Sequence, residues 1–577
     1  MCWLCWASSG NETLRASALD ATVAQSAAPR LFLTRTGDPG IDGLQSGFAW
    51  SGGVVTFSFP DSATDYEAFY GDSEPARSFG QIGPAMRDAI RRILLGEAAG
   101  ITGGPGSPGP AVAGFTNLAL AESGADGAAD IRIAKSSAPS TAWAYYPNGR
   151  EGGDVWFGTR YAFDSPRLGT YQFATAVHEL GHALGLKHPH ESWNGFGPMP
   201  IELDGLEFTV MSYRSKPGAP TTTGYTNGTF DYPQGYMMLD IAALQTLYGA
   251  DYTYRAGNTR YSWDANTGET FVDGIGQGRP GDGNGSSSNR VFLTIWDGGG
   301  TDSFDLSNYA GGVWVDLSPG GWSVLSAAQL ATLDFRDGSK ARGNVSNSLL
   351  ANGNTASLIE NAVGGAGADT LSGNLGANRL EGGPGNDWLE GREGADLLIG
   401  GAGADTMVGG AGPDSYVVDD AGDLVIETGT DMDTLIVETP GAVTLPFGVE
   451  ILRLGAAGRI GIGNSGANLL FGSAWADWLD GGAGADVIEG GRGDDTLIGG
   501  LGADRFVLRR GDGFDRIEDF TPGSDLLVLT GFGLTADAGL ACAQTVTGGV
   551  SIDLGGGDGV LFAGLSWERL SASDFVL

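Results

Sequence analysis

The chain is poor in histidine, cysteine and basic residues. It has 4 His and 3 Cys in 577 residues, and 32 Lys and Arg against 69 Asp and Glu, a formal net charge of −37. So few cysteines exclude a framework of disulfide bonds. The acidic charge argues against binding to nucleic acid or to an anionic membrane surface, and fits a protein that binds cations. No apolar run is long enough for a transmembrane helix, which needs about 18 residues.

Three of the four histidines stand close together. Residues 178–188 read HELGHALGLKH, which places His178, His182 and His188 at spacings of four and six. Positions 178 and 182 are about one helical turn apart and share a face of a helix. Gly185 can adopt the left-handed conformation that ends a helix, so the chain can turn His188 back towards the other two. The spacing predicts three imidazoles that converge on one metal ion.

Three imidazole nitrogens suit a catalytic zinc ion. Zinc binds such nitrogens at about 2.0–2.1 Å, and a catalytic site leaves a fourth position for water. Glu179 follows the first histidine and is the candidate general base for that water. The full pattern H-E-x-x-H-x-x-G-x-x-H is the signature of the metzincin peptidases. The alternative is a histidine cluster without metal; the glycine and the third histidine argue against it.

Alternating apolar residues predict strands before this helix. The predicted strands are Val54–Phe59, Ala129–Ile133, Thr141–Tyr146 and Asp154–Phe157. Helical spacing of apolar residues predicts helices over Ile82–Leu95 and, in amphipathic form, over Met237–Tyr248. A protease needs an exposed sheet edge that can hold a substrate backbone as an added strand. Thr141–Tyr146 is the candidate edge, and an ordinary paired strand is the alternative.

The turn Val210-Met211-Ser212-Tyr213 follows the histidines. With the zinc motif and Pro189, it resembles the serralysin family of secreted bacterial zinc metalloproteases. The resemblance implies that Met211 packs its thioether beneath the zinc. It also implies that Tyr213 is a displaceable zinc ligand that stabilises the oxyanion, and a phenol near a metal can donate to developing negative charge. The chain departs from the family at His190-Glu191, where members often carry glycine and aspartate at the rim of the cleft.

From Gly364 the chain repeats every nine residues. The segment Gly382–Glu390, GGPGNDWLE, is representative, with an acidic sixth residue and an apolar eighth. This nonapeptide is the calcium-binding parallel β-helix repeat of RTX proteins. Its glycine-rich turn offers carbonyl and aspartate oxygens to a hard cation, and its eighth residue points inward from a short strand.

Two nonapeptides complete one coil, so aspartates two repeats apart are expected to share calcium. The candidate ligands are Asp369, Asp387, Asp396, Asp405, Asp414, Asp477, Asp486, Asp495 and Asp504. Asn378 and Asn468 lack the charge and are expected to mark array starts or weaker sites. A roll without calcium is the alternative, against which the repulsion among stacked aspartates argues.

These patterns predict an α+β metzincin catalytic domain followed by an all-β parallel β-roll. The expected segments are a prosegment or disordered tail (1–38), the catalytic domain (39–255), a linker with strands (256–363), a first repeat array (364–417), an intervening β segment that breaks the period (418–462), a second array (463–507) and a C-terminal β region (508–577). In the tail, a thiolate of Cys2 or Cys5 could cap the zinc of a zymogen. We favour a cysteine pair without a metal role.

The chain ends with Asp574-Phe575-Val576-Leu577. This resembles the serralysin terminus, which implies a C-terminal signal for export by a type I ABC transporter and an extracellular location. Asp-rich repeats are expected to stay unfolded where calcium is scarce and to fold outside the cell.

The expected function is that of a secreted, monomeric zinc endopeptidase that acts on proteins. A second hypothesis is an RTX calcium scaffold or adhesin with a vestigial protease domain, and the intact Glu179 argues against it. A third is an RTX lipase, for which the chain lacks a G-x-S-x-G elbow in a strand–helix setting.

Overall fold

A computed structural model of the chain describes residues 30–67, 70–96, 109–149, 151–281, 288–455 and 459–576. The chain forms two compact units, Met1–Asn308 with Trp314–Ile359 and Tyr309–Val313 with Glu360–Leu577. Cys2, Cys5 and Leu577 lie outside the described residues, as does most of the expected tail. Over the described ranges, no helix has the length and hydropathy needed to cross a membrane.

The first unit contains a five-stranded sheet. Its strands are β1 (Val55–Ser58), β2 (Leu120–Glu122), β3 (Ile131–Ser136), β4 (Ala142–Ala144) and β5 (Val155–Gly158). Their order is β2-β1-β3-β5-β4, with β4 antiparallel to β5 and the other neighbours parallel. The prediction of an edge strand within Thr141–Tyr146 is therefore confirmed, since β4 is the last strand of this sheet.

Three helices of eleven residues or more pack in this unit: α1 (Pro84–Leu95), α2 (Tyr171–Ala183) and α3 (Met238–Tyr248). Shorter helices span Pro39–Asp42 and Val112–Phe115, and a two-stranded ladder joins Arg30–Phe32 to Phe48–Trp50. Thr170 caps α2, its hydroxyl oxygen accepting a hydrogen bond from the Phe173 N–H. The predicted helices are confirmed, and α2 carries the first two histidines of the motif.

Helix α3 differs from the prediction of a single apolar face. Every residue from Met238 to Gln245 is buried. The helix packs against Pro39–Asp42 and also against Ala351–Gly353. Partners on more than one side explain why its burial is not amphipathic.

The residues expected as a linker contribute to the same core. Phe292, Trp296 and Trp322 belong to the hydrophobic cluster that contains Val177 and Leu180 of α2. The strands of this region are Arg260–Trp263, Thr270–Val272, Ile275–Gly276, Leu293–Ile295, Ser303–Asp305, Trp314–Asp316, Trp322–Ser323, Thr332–Asp334, Ser339–Lys340 and Val345–Asn347. The first unit thus extends well past residue 255, and the segment is more than a spacer.

The second unit is a stack of short coils with parallel strands on two sides. One side is a continuous sheet of Asn361–Val363, Arg379–Glu381, Leu397–Ile399, Ser415–Val418, Thr434–Val437, Ile451–Leu454, Leu469–Phe471, Val487–Glu489, Arg505–Arg509, Leu526–Thr530 and Phe575–Val576. The eighth residue of every repeat is fully buried, from Leu371 to Phe506. The predicted β-roll with an inward-facing eighth residue is confirmed.

The other side of the roll is divided into two sheets. The first holds Thr370–Ser372, Trp388–Glu393, Thr406–Ala411 and Leu424–Ile426. The second holds Ala442–Thr444, Ile460–Ile462, Trp478–Asp480, Thr496–Ile498 and Phe514–Ile517, followed by the antiparallel strands Asp558–Ala563, Gly549–Gly555 and Ala543–Val546. A short helix, Ala536–Ala541, precedes the last hairpin.

The segment 418–462 interrupts the nine-residue sequence period. In the structure it interrupts the sheet on only one side of the roll. On the continuous side, Ser415 pairs with Thr434 and Thr434 with Ile451. The corresponding hydrogen bonds span 19 and then 17 residues, against 18 in the repeats. One coil is a residue longer and the next a residue shorter, so the register is restored.

Candidate active site and aspartate ladder

The three predicted metal ligands meet at one point. Helix α2 ends after Ala183, and Gly185 takes a φ of +107° that lets the chain turn back. A Cβ at Gly185 would lie 2.3 Å from the Phe48 carbonyl oxygen, so the turn requires glycine. His188 Nε2 then lies 3.2 Å from His178 Nε2 and 3.0 Å from His182 Nε2.

The opposite ring nitrogens fix the orientation of the imidazoles. His178 Nδ1 is 2.9 Å from the Val210 carbonyl oxygen, and His182 Nδ1 is 2.7 Å from that of Leu186. His188 Nδ1 is 3.0 Å from Glu191 Oε1. Carbonyl oxygens only accept hydrogen bonds, so the Nδ1 atoms of His178 and His182 carry the protons and their Nε2 atoms present lone pairs towards His188 Nε2. Lone pairs that face one another at these distances call for a shared cation.

The donor set fits zinc. Burial lowers the pKa of His178 to about 4 and holds the pKa of His182 and His188 well below the usual value. The imidazoles are therefore neutral, the form that binds metal. Tetrahedral zinc with nitrogens at about 2.0–2.1 Å needs nitrogens about 3.3 Å apart, and the observed separations are close to this.

Glu179 and Tyr213 lie at the same site. Glu179 is 4% exposed and lines a cavity together with His178 and Tyr213. The Tyr213 ring centroid is 4.2 Å from that of His188 and 5.7 Å from that of His178, against which it stacks at 12°. His190, the fourth histidine, packs beside Tyr213 with centroids 5.3 Å apart and is not one of the three converging rings.

The turn that contains Met211 packs against helix α2. Met211 is fully buried, and a Cβ at Gly181 would lie 2.5 Å from its sulfur, so glycine at 181 allows the contact. The carbonyl of Val210 holds the first histidine ring. The structure thus places Met211 directly against the helix that carries the first two histidines.

Asp240 is a site residue that the sequence pattern did not reveal. It lies in the first turn of α3 and is fully buried. Its carboxylate accepts hydrogen bonds from the Thr209 hydroxyl (2.5 Å), the Val210 N–H (2.8 Å) and the Met237 N–H (2.9 Å). Asp240 therefore fixes the turn that orients His178. An aspartate in the first turn of a predicted helix was the available signal.

Lys187 and Glu191, also missed, organise the loop after α2. The buried Lys187 ammonium donates to the carbonyl oxygens of Gly43 (2.6 Å), Glu191 (2.8 Å) and Gly197 (3.1 Å). These bonds hold the backbone on both sides of Pro189. The carboxylate of Glu191 is thereby brought to the third histidine.

A cavity of about 160 Å³ opens beside Glu179. Its lining includes Thr141, directly before edge strand β4, and the apolar or aromatic side chains of Tyr171, Leu206, Val210, Tyr225 and Tyr232. The cavity thus extends from Glu179 to the residue that precedes edge strand β4.

In the roll, each predicted aspartate pair is joined by a hydrogen bond. The backbone N–H of one sixth-position residue donates to Oδ1 of the residue one coil on, an arrangement we call the aspartate ladder. The distances are 2.8 Å for Asp369–Asp387, Asp387–Asp405, Asp396–Asp414 and Asp477–Asp495, and 2.9 Å for Asp486–Asp504. Asn378 and Asn468 occupy ladder positions and donate from their backbone to Asp396 and Asp486.

The second carboxylate oxygens of the ladder are available for cations. Oδ2 is buried without a hydrogen-bond partner in Asp387, Asp396, Asp405, Asp414, Asp486, Asp495 and Asp504. Burial, with some contribution from neighbouring carboxylates, raises the pKa of Asp387 to about 6 and of Asp414 and Asp495 to about 7. Stacked oxygens of this kind fit calcium, a hard cation with oxygen ligands.

Two models of known protein families match parts of the chain. The sequence matches the matrixin family over residues 127–194. It matches the RTX calcium-binding nonapeptide repeat in four segments, 357–389, 381–416, 462–497 and 480–515.

Known relatives narrow the resemblance to serralysin-type metalloproteases. Serralysin A of Dickeya chrysanthemi is 35% identical over 236 residues, and a Serralysin C of the same organism is 39% identical over 237; each match covers 40% of this chain and 42% of the relative. Metallopeptidase AprA of Pseudomonas marginalis is 35% identical over 243 residues, covering 40% and 44%. The chain thus spans less than half the length of these relatives.

Among the solved structures that match is that of the extracellular lipase LipA from Serratia marcescens. It is 20% identical, with a TM-score of 0.15 over 40% of this chain and 44% of that chain. A score so low carries no argument about fold.

Proposed function

We propose that the protein is a zinc-dependent endopeptidase that hydrolyses peptide bonds of extracellular proteins, and that its roll is folded and stabilised by calcium. The observation that carries the proposal is the convergence of three Nε2 atoms within 3.0–3.2 Å of one another, with Glu179 on the same helix. His178, His182 and His188 would hold the zinc ion. Glu179 is the proposed general base and Tyr213 the proposed oxyanion donor.

The roles of these side chains follow from their chemistry. A bound zinc ion supplies Lewis-acid polarisation of the scissile carbonyl and eases deprotonation of its water. Glu179 takes the proton from the attacking water and delivers it to the leaving amine, so that the C–N bond breaks without releasing a free amide anion. The Tyr213 phenol donates a hydrogen bond to the oxygen on which negative charge develops.

Strand β4 and the cavity beside Glu179 are the proposed substrate-binding elements. An extended substrate would pair with β4, since main-chain hydrogen bonds at a sheet edge bind peptides largely irrespective of sequence. The aromatic lining from Tyr171, Tyr225 and Tyr232 favours a bulky apolar side chain next to the cleaved bond. We expect cleavage of many proteins with this local preference.

Calcium-dependent folding of the roll supports an extracellular location. The ladder stacks carboxylates that repel one another until cations bind, so the repeats should fold where calcium is plentiful, outside the cell. This supports secretion as an unfolded chain, with a type I apparatus as the proposed exporter. A calcium scaffold with a vestigial protease domain remains the second candidate, because the ladder alone would serve it equally.

Casein digestion separates the two candidates. Glu179→Gln should lower the hydrolysis rate by about 10²–10⁴-fold, the usual contribution of a general base, and leave zinc content unchanged. The matched control is Glu202→Gln, at an exposed glutamate in the same unit, which should digest casein like wild type. Equal digestion by wild type and Glu179→Gln would refute peptidase chemistry at this site.

A further inference from the structure

The coil after the first repeat array gathers three acidic side chains. Asp414 is the last aspartate of the array, while Glu427 and Asp433 lie in the interruption, outside every segment that matches the RTX repeat. One carboxylate oxygen from each lies within 4.8 Å of the others. All three are buried, with exposures of 1%, 7% and 0%.

Hydrogen bonds hold the outer oxygens of this trio in place. The Asp414 N–H donates to Asp433 Oδ1 at 2.7 Å, continuing the aspartate ladder. Glu427 Oε2 accepts from the Tyr416 hydroxyl at 2.6 Å, and Oε1 accepts from the Thr428 N–H at 2.6 Å. The carboxylates are therefore oriented by the fold.

Two carboxylate oxygens of the trio lack a hydrogen-bond partner. Asp414 Oδ2 and Asp433 Oδ2 are buried and make no hydrogen bond. Asp414 Oδ2 lies near the Tyr416 hydroxyl that donates to Glu427, because a Cβ at Gly409 would lie within 2.2 Å of both. Unpaired carboxylate oxygens are costly to bury unless a cation accompanies them.

No basic side chain of the described ranges forms an ion pair with the trio. Burial, together with the neighbouring carboxylates, raises the pKa of Asp414 and of Asp433 to about 7. Within the described ranges, the trio therefore has no basic side chain as a counter-ion.

We propose that Asp414, the last aspartate of the first array, binds a calcium ion together with Glu427 and Asp433, which lie outside the nonapeptide motif. Three carboxylates and no nitrogen or sulfur donor select a hard cation, and calcium tolerates irregular oxygen geometry better than magnesium. Gly409 is the first glycine of its nonapeptide. Glu427 lies 18 residues later, where the next coil would have the equivalent glycine. The longer coil, which spans 19 residues, accommodates its side chain. Calcium binding then continues across the interruption on the continuous side of the roll.

The divided side shows a different solution at the same interruption. Arg459 occupies the ladder position before Asp477, to whose Oδ1 its N–H donates at 3.1 Å. Its guanidinium is 4% exposed and donates to the carbonyl oxygens of Val437 and Glu438. On the divided side, the Arg459 guanidinium thus supplies a positive charge. On the continuous side, the trio presents only carboxylates and requires a bound ion.

Calcium counting on the full chain tests the site. Wild type, Glu427→Gln and Asp433→Asn are dialysed against buffered free calcium, and bound calcium per chain is measured by atomic emission. Each variant should bind one ion fewer than wild type. Glu438→Gln, at an exposed glutamate of the same coil, should bind the wild-type number. Wild-type number and affinity in both Glu427→Gln and Asp433→Asn would overturn the proposal.

A measurement on the unchanged protein covers variants that fail to fold. Anomalous diffraction from wild-type crystals grown in calcium should show a peak between the three carboxylates. Peaks at the repeat aspartates without one here would equally overturn it. Neither readout depends on peptidase activity, so the outcome is independent of the proposed peptidase chemistry. Calcium at the repeat aspartates but not between these three carboxylates would separate failure of this site from failure of calcium binding by the roll.

Discussion

The two units present opposite kinds of candidate cation ligands. At the active site, three neutral imidazoles converge, and their outer nitrogens are held at 2.7–3.0 Å by the oxygens of Val210, Leu186 and Glu191. In the roll, the groups that converge are carboxylates whose Oδ2 atoms have no protein partner. The first arrangement is complete without its metal, apart from the facing lone pairs. The second stores charge repulsion, so its fold and its cations should be inseparable.

Calcium removal should have the largest effect. A calcium-selective chelator at neutral pH should unfold the roll, because the stacked carboxylates lose the ions that offset their repulsion. Circular dichroism should record loss of the β-sheet signal of this unit. Removal of zinc alone should leave that signal intact. A roll that keeps its spectrum and melting temperature without calcium would contradict the comparison.

Asp240 tests how far the zinc site depends on the protein around it. Asp240→Ala leaves the buried donors of Thr209, Val210 and Met237 without an acceptor. At about 1–3 kcal/mol for each unsatisfied group, with partial relaxation, we expect a loss of about 3 kcal/mol in the free energy of unfolding. Urea denaturation measures it.

The matched control for this prediction is Asp61→Asn, at an exposed aspartate of the same unit, which should unfold like wild type. Zinc affinity should fall with Asp240→Ala, since the displaced turn includes the Val210 carbonyl that orients His178. Unchanged stability and unchanged zinc affinity together would show that the turn needs no anchor.

Glu191 should have a smaller and more selective effect. Glu191→Gln keeps an oxygen near His188 Nδ1, 3.0 Å away in the native protein, but removes its charge. Loss of a carboxylate behind a metal-binding histidine typically weakens metal binding by about 10–100-fold, and we expect the lower end. Competition with a chromophoric zinc chelator measures it, with Glu202→Gln as control. Wild-type zinc affinity would show that the contact is only structural.

The convergence of the three histidines was predictable because local geometry dictates it. Spacings of four and six on a helix and its turn bring His178, His182 and His188 together whatever else the chain does. Asp240 was not predictable in this way, because it acts on a turn about 30 residues earlier in the chain. Its role exists only once α3 packs against that turn.

The fold shows the same division between local and distant information. The nine-residue period predicted the roll, since each eighth residue must face the thin core. The continuation of the roll through 418–462 was not predictable from the nine-residue period. Parallel pairing there needs only buried residues such as Leu435 and Leu452, and a longer coil followed by a shorter one. The burial of α3 on several sides likewise depended on residues far along the chain.

Acidification should have the smallest effect. In metal-free protein it should change the stability of the two units in opposite directions. An unfolded aspartate has a pKa of about 3.9, while in the folded roll the pKa of Asp396 is raised to about 6 and of Asp495 to about 7. The proton-bound form is thus favoured by folding. The resulting stability is complete below about pH 4 and is lost as pH rises through about 6–7. For His178 the folded pKa is lowered to about 4, against about 6.5 unfolded. That contribution is present above pH 6.5 and is lost as pH falls towards 4.

Moving metal-free protein from pH 7.5 to pH 5 should therefore strengthen the roll and weaken the catalytic unit. Hydrogen exchange read by mass spectrometry resolves the two, once rates are corrected for the intrinsic effect of pH. Peptides from the continuous sheet of the roll should exchange more slowly at pH 5, and peptides from α2 faster. Saturating calcium should abolish the gain in the roll, because bound ions already neutralise the carboxylates. A change of the same sign in the exchange rates of both units would mean that the aspartates do not determine the pH dependence of roll stability. The difference between neutral and anionic ligands would then have no measurable effect on stability.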